Sequence, residues 1–148
     1  MPYDPFRAAV AVHGILHDNN AVLLLRRAGT SHRNGRLALP AGHLDGGEDA
    51  ITGLCRELRE ELGIEVVPDA CRLALVLHAA PEHAADFEYL HLFFHVSHWI
   101  GEPSIAEPDK CTELRWADAG ALPPDVVDYV TQALSAISRG DTLALHGW

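Results

Sequence analysis

Cysteine is scarce in this chain. There are three, Cys55, Cys71 and Cys111, an odd number with no close pair among 148 residues. That excludes a disulfide framework and a CxxC metal site, and leaves small buried thiols in a reducing compartment as the expectation. Basic residues are also few: 11 Lys and Arg against 21 Asp and Glu, a formal net charge of −10. Binding to a nucleic-acid duplex depends on basic patches, so no duplex partner is expected. A small phosphate compound is not excluded, but it would need a cation or a local set of arginines to be tolerated. No apolar run approaches the length needed to cross a bilayer, and the opening MPYDPFRAAVAV has no basic segment leading into a long apolar one. The expectation is a cytoplasmic protein with no membrane partner. Internal repeats, low-complexity tracts and linkers are lacking as well, so residues 1–148 are expected to form a single domain.

What is present is an ordinary globular composition, 48% hydrophobic. RAAVAVHGIL and AVLLLRR are short apolar runs separated by HDNN, which predicts a β-hairpin closed by an Asp/Asn turn. Residues 28–36 read as loop, and LALPAGHLDGG as a short apolar piece entering a glycine-rich loop. From about Glu48 to Leu62, Ile51, Leu54, Leu58 and Leu62 recur at spacings of three and four, one apolar helical stripe, and Gly63 would stop that helix. CRLALVLHA and TELRWAD read as strands. EYLHLFFHVSHW alternates: Leu90, Leu92, Phe94 and Val96 share one face, His91, Phe93, His95 and Ser97 the other. PDVVDYVTQALSAISRG reads as an amphipathic helix with Pro124 near its start and Gly140 after its end. Strands with a helix between them and another at the end predict an α/β fold: a mixed central sheet in an α/β/α sandwich.

The helix over Glu48–Leu62 is the chemically unusual element. It carries Glu57, Glu60 and Glu61, and carboxylates three and four residues apart repel one another. At about 100° per residue the three flank the apolar stripe instead of pointing straight to solvent. Unpaired anions at the edge of a core are costly, and Mg²⁺ or Mn²⁺, hard ions that take oxygen ligands, would relieve that cost. Gly53 lies one turn before Glu57. A glycine inside a helix costs about 1 kcal/mol against alanine, and it reads either as room for a ligand over the carboxylates or as simple tolerance.

The spacing is Gly42, five residues, Glu48, seven residues, Arg56-Glu57-Leu58, one residue, Glu60-Glu61, one residue, Gly63-Ile64. This resembles the signature of the Nudix hydrolases at every defining position, and the LP before it and the later EPDKC are similar to segments of the MutT-like branch. The resemblance implies the Nudix α/β/α sandwich and metal-dependent hydrolysis of a nucleoside diphosphate linked to another group. Water attacks a phosphorus and a phosphoanhydride bond breaks. A bound Mg²⁺, or Mn²⁺, would neutralise phosphate oxygens and lower the pKa of a coordinated water. By that resemblance Glu60 and Glu61 would be metal ligands with the backbone carbonyl of Gly42. Glu57 would be a further ligand or the general base, and Arg56 would hold Glu57 by a charge-assisted hydrogen bond. Glu48 would brace the loop or reach an outer metal site.

Other residues are weaker candidates. Arg26 and Arg27 end a strand and point to opposite faces. By position Arg26 looks like the family's phosphate-contacting arginine, while a pair of surface charges is the plain alternative. Glu107 resembles a late acidic residue that reaches the metal or activates water in some family members, or it is an ordinary loop carboxylate, and Lys110 would contact phosphate. The histidines show no closed tetrahedral set and read as polar strand faces. Trp99, Trp116 and Trp148 read as core or rim aromatics, though a base needs an apolar slot. Signatures for NADH hydrolysis and for coenzyme A are absent. The reading is a nucleotide hydrolase, with a (deoxy)nucleoside triphosphate cleaved to monophosphate and pyrophosphate as the first substrate. ADP-ribose or a nucleotide sugar is the first alternative and a nucleotide-binding sensor without turnover the second. A monomer or homodimer is expected.

Overall fold

The computed structural model describes residues 2–29 and 33–148, so the middle of the loop expected over 28–36 lies outside the described residues. The expected hairpin is β1 (Ala9–Asp18) and β2 (Ala21–Arg27), paired antiparallel with His17 opposite Val22. Its turn uses Asn19 at φ 55, a left-handed conformation that asparagine tolerates better than most residues. Two short strands follow, β3 (Leu37–Ala38) and β4 (Ala41–His43). Helix α1 spans Ala50–Leu62, and β5 (Cys71–Ala79), β6 (Tyr89–Val96) and β7 (Cys111–Asp118) complete the expected strands. Helix α2 (Asp128–Ser138) and β8 (Leu143–His146) close the described chain.

The sheet runs β3-β2-β1-β6-β5-β8, with β4 added to β1 and β7 to β2. It is mixed: β1 pairs parallel with β6 and β5 with β8, while the other pairs are antiparallel. β1 is the organising strand. Its first half pairs with β4 (Val12 opposite Gly42) and its end with β2, so it carries the loop that leads into α1 on one side and β6 on the other.

The alternation of β6 is used on both faces. Phe94 and Val96 join Leu54, Leu58 and Leu62 of α1 in one core, and Phe93 joins Val130, Ala133 and Leu134 of α2 in the other. Two cores on opposite sides of one sheet make the α/β/α sandwich. Leu54, Leu58 and Leu62 are fully buried, each worth about 1.5–3 kcal/mol. They fix which edges of α1 remain for the acids.

Helix α1 begins at Ala50 because Asp49 caps it: Thr52 N–H donates to Asp49 Oδ1 at 2.8 Å. Gly63 ends it at φ 69, donating its N–H to the Arg59 carbonyl. Gly53 needs a different account from either expected one. A Cβ there would collide with the Leu44 side chain and crowd Glu48, so the glycine lets the incoming loop lie against the helix, and no ligand space is involved. Helix α2 also differs from expectation. It starts at Asp128, well after Pro124, because residues 124–125 form a turn and Val126 bridges Leu37, with Leu37 N–H donating to the Asp125 carbonyl and Val127 N–H to the Leu37 carbonyl. Strand β8 was not expected. It is four residues long with Leu143 and Leu145 exposed, so no buried face marks it in the sequence. Cys55 and Cys111 are buried and Cys71 is half-buried; all three are free thiols. Among the described residues no helix is long and apolar enough to cross a membrane.

The cap gives a direct check on this reading of α1. Asp49→Ala removes the acceptor for Thr52 N–H and should lower stability by about 1 kcal/mol, measured by urea denaturation.

Candidate active site

Strand β4 delivers Gly42 to the face of α1 that carries the acids. A Cβ at Gly42 would fall on the Glu57 carboxylate, so the backbone can pass this close only as glycine. The neighbouring Ala41 N–H donates to Glu61 Oε2 at 3.2 Å. Glu57, Glu60, Glu61 and the loop residue Glu107 all line one cavity of about 730 Å³, together with Gly42. The cations on its wall are Arg27 and Lys110, and Lys110 pairs with Glu107 at 3.4 Å.

Arg56 sits behind this cluster and holds it from the helix side. Its Nη1 donates to Glu57 Oε1 at 2.9 Å and to Glu60 Oε2 at 3.3 Å. Its Nη2 and Nε take both oxygens of Glu48, at 2.6 and 3.0 Å. Glu48 in turn accepts the Asp45 N–H at 2.9 Å, which ties the glycine-rich loop to the helix. Glu48 is therefore a brace between loop and Arg56, and the Arg56 hydrogen bonds hold it below the usual carboxylate range.

The acids at the cavity move the other way. Glu61 is hemmed in by protein, and burial, with the charge of Glu57 next in size, pushes its carboxyl up to about 8 despite the Ala41 N–H. Burial also raises Glu57, only partly offset by Arg56, with Glu60 and Glu107 adding to the rise. Like charges held together without enough counter-charge are the physical content of the site.

Arg26 is outside it. Its guanidinium donates to Glu113 at 2.8 Å, to Asp125 at 2.7 Å and to the Gly35 carbonyl at 2.7 Å, a bracket between β2, β7 and the segment before α2. Arg27 is the arginine that faces the cavity, contrary to the expected placement. Its charge acts on Glu61 at one end and on His13 and Tyr129 at the other.

That other end consists of rings. His91 stacks on Tyr129 with centroids 4.6 Å apart and on Tyr89 at 5.2 Å. His13 stacks on Phe93 at 4.3 Å and hydrogen-bonds His91 at 2.9 Å. His13, Tyr129 and His146 line the cavity and sequence reasoning missed them. Trp148 is exposed and donates to the His78 carbonyl; neither it, Trp99 nor Trp116 lines the cavity. Thus the acids of α1 with Glu107 and the cluster of rings line one cavity with Arg27 acting on both, Glu82 and Asp86 also line it, and the Arg33 guanidinium lies 5.8 Å from the Tyr129 ring centroid.

The model of the NUDIX domain matches residues 5–134. This chain belongs to the NUDIX family. It is similar to the 8-oxo-dGTP diphosphatase of Escherichia coli, 30% identical over 127 residues that span 78% of this chain and 87% of that protein. It is also similar to an ADP-ribose pyrophosphatase of Methanocaldococcus jannaschii, 29% identical over 121 residues, 82% of this chain and 68% of that one. Among solved structures, the MutT NUDIX hydrolase from Burkholderia pseudomallei superposes with a TM-score of 0.78 at 26% identity, covering 87% of this chain and 97% of that chain. The chain is thus a MutT-like Nudix hydrolase, a pyrophosphohydrolase.

Nudix hydrolases use divalent metal ions, and the residues here fit one by chemistry. Every candidate donor is an oxygen, the acids are short of counter-charge, and Gly42 leaves its carbonyl strand unobstructed beside Glu57. Among the described residues no group of three His, Cys, Asp or Glu side chains is placed so as to hold a metal ion between them.

The raised acids have a consequence for stability. Glu61 binds its proton more tightly folded than unfolded, so rising pH strips the unfolded chain first. Between about pH 4.5 and 8, the metal-free protein should therefore lose stability as pH rises, by at most about 1.4 kcal/mol per unit. Glu61→Gln should flatten that slope in chelator, as read from urea denaturation at several pH values.

Proposed function

We propose that this Nudix hydrolase cleaves a (deoxy)nucleoside triphosphate to the monophosphate and pyrophosphate with Mg²⁺. The observation that carries this reading is the polarity of the cavity: Glu57, Glu60, Glu61 and Glu107 at one end and stacked rings at the other, with Arg27 between. A nucleotide has the same order of parts. The 8-oxo-dGTP diphosphatase relative supports the triphosphate over other linked groups.

Glu57, Glu60, Glu61 and the Gly42 carbonyl would hold the ion, with Glu107 at the margin. When bound, the ion supplies charge neutralisation of the phosphate oxygens and acidification of the attacking water. The chain's own residues do the rest. Glu57, whose proton affinity burial raises and whose carboxylate Arg56 orients, takes the water's proton. Arg27 meets the phosphate chain, a role suited to a guanidinium because it pairs with two phosphate oxygens at once, and Lys110 contacts the far phosphate. Glu48 and Arg56 keep loop and helix together during turnover.

Purified protein assayed with Mg²⁺ against deoxynucleoside triphosphates, ADP-ribose and nucleotide sugars tests this reading. Pyrophosphate should be the product. AMP and ribose phosphate from ADP-ribose would transfer the assignment to the pyrophosphatase alternative, and binding without turnover would mark a sensor. Glu57→Gln and Glu61→Gln should each cut kcat by about 10²-fold or more with the fold intact, on the scale of losing a positioned base or charge stabiliser.

The two arginines separate cleanly. Arg27→Ala should raise KM about tenfold or more for a triphosphate. Arg26→Ala should act on thermal stability, since it leaves Asp125 without its ion-pair partner and Glu113 with Arg115 alone. A larger KM effect from Arg26→Ala would reverse this assignment.

A further inference from the structure

The aromatic end of the cavity contains a hydrogen-bonding problem whose solution has a functional consequence. His13, on β1, is 2% exposed, and its Nδ1 is the buried side-chain atom without a partner among the described residues. Its Nε2 lies 2.9 Å from Nδ1 of His91 on β6. The two rings are 78 positions apart in sequence and meet because β1 and β6 run parallel. Burial depresses both imidazoles, His13 well below its ordinary value and His91 to about 4, so at neutral pH the pair carries no charge and shares one proton in this contact.

Two tautomers satisfy the contact. In one, His91 Nδ1–H donates to His13, which forces the proton of His13 onto its orphaned Nδ1 and buries an N–H with no acceptor. In the other, His13 Nε2–H donates to His91, and the orphan is only a bare lone pair. Orphaned buried N–H groups are rarer than under-used acceptors, and an unmade donor bond in an apolar setting carries the desolvation cost in full. The second arrangement wins. It leaves His91 with its proton on Nε2, and that nitrogen has no hydrogen bond to the described protein although the ring lines the cavity.

We infer that His91 is a specificity-determining residue, its Nε2–H donating to an acceptor on the nucleobase, a carbonyl oxygen or an unprotonated ring nitrogen, and that His13 is the positioning residue that keeps the proton on that nitrogen. This rests on the nucleotide reading above. The ring stack of Tyr89, His91 and Tyr129 fits the same ligand, because a base offers a π-face as well as an edge. The donor is neutral, so it reads an acceptor without attracting phosphate into the base end.

Long-range ¹H–¹⁵N spectra of the imidazoles test the tautomer on the unaltered protein. His91 should be protonated at Nε2 and bare at Nδ1, and His13→Phe should abolish that preference. Proton on Nδ1 of His91 in the unaltered protein would overturn the inference. Adding a deoxynucleoside monophosphate should shift the His91 Nε2 signal, and deoxyribose 5-phosphate should not. If none of the four monophosphates moves it, or the sugar phosphate moves it as far, the donor does not read a base. In turnover, His91→Phe should lower the ratio of kcat/KM for a deoxynucleoside triphosphate over its abasic analogue at least tenfold, mostly through KM, and His91→Gln, which keeps an N–H, should recover part of it. An unchanged ratio with His91→Phe sinks the proposal. The abasic substrate also reports whether the variants fold. Should the unaltered protein hydrolyse neither triphosphate, the hydrolytic assignment fails, and the monophosphate titration still decides the role of His91.

Discussion

Repulsion between carboxylates that the fold holds together is the constraint on which the rest of this structure depends. Helix α1 cannot rotate away from it, because Leu54, Leu58 and Leu62 on the adjoining stripe are fully buried. It cannot slide either, because Asp49 and Gly63 fix its ends. Arg56 supplies one positive charge and divides it among Asp45, Glu48, Glu57 and Glu60, while Glu61 has the N–H of Ala41 and the charge of Arg27. The result is a helix edge that is deliberately under-neutralised on the cavity side and fully braced behind. A stability-optimised helix would place lysines one turn away. The cost is accepted at a site, which is where such conflicts between local and global stability are expected.

The sheet gives that edge its surroundings. By pairing with β4 and β6 at once, β1 brings the Gly42 backbone over Glu57 on one side and the ring cluster alongside on the other. Glycine matters at 42 because a side chain would occupy the space of the carboxylate, and it matters at 53 because Leu44 occupies that of a side chain. Both positions have the same composition-level appearance, yet one serves the cavity and the other the packing of the loop. Only the neighbours distinguish them.

What could be read in advance follows from the range of the interactions involved. The period of Ile51, Leu54, Leu58 and Leu62, the alternation of β6 and the spacing of the acids are local, so helix, two-faced strand and acidic edge were all legible. The arginine that lines the cavity was not. Adjacent residues on a strand point to opposite faces, and β2 keeps that parity, with Leu25 and Arg27 on the cavity side and Arg26 on the other, but nothing within the strand says which of its faces the acids of α1 will meet. The start of α2 was hidden for a similar reason: Val126 and Val127 look like a helical beginning, and a bridge to Leu37, far away in sequence, takes their backbone instead. The histidines read as polar strand faces because nothing in one strand announces that a parallel neighbour will set His13 against His91.

The net charge of −10 stands against the anionic substrate proposed above, and the resolution is one of distance. At physiological ionic strength exposed charges are screened within about 8 Å, so most of the 21 acidic residues have little influence on a phosphate already in the cavity. What acts there is the local set: Arg27 and Lys110 on the wall, and the acids that a divalent cation would neutralise. Without that cation the acidic end repels a phosphate chain at short range, where screening is weakest. For the triphosphate proposed above, substrate binding and metal binding would therefore be coupled in the same direction, each making the other more favourable, by the reciprocity that governs any two linked sites. At the ring end burial holds His13 and His91 below the usual imidazole range, and the charges near those rings are Arg33, over Tyr129, and Glu82 and Asp86 on the wall. In the function proposed above, choice of base would fall to hydrogen bonding and stacking among the rings, and attraction of phosphate to the cation and the arginine beside the acids.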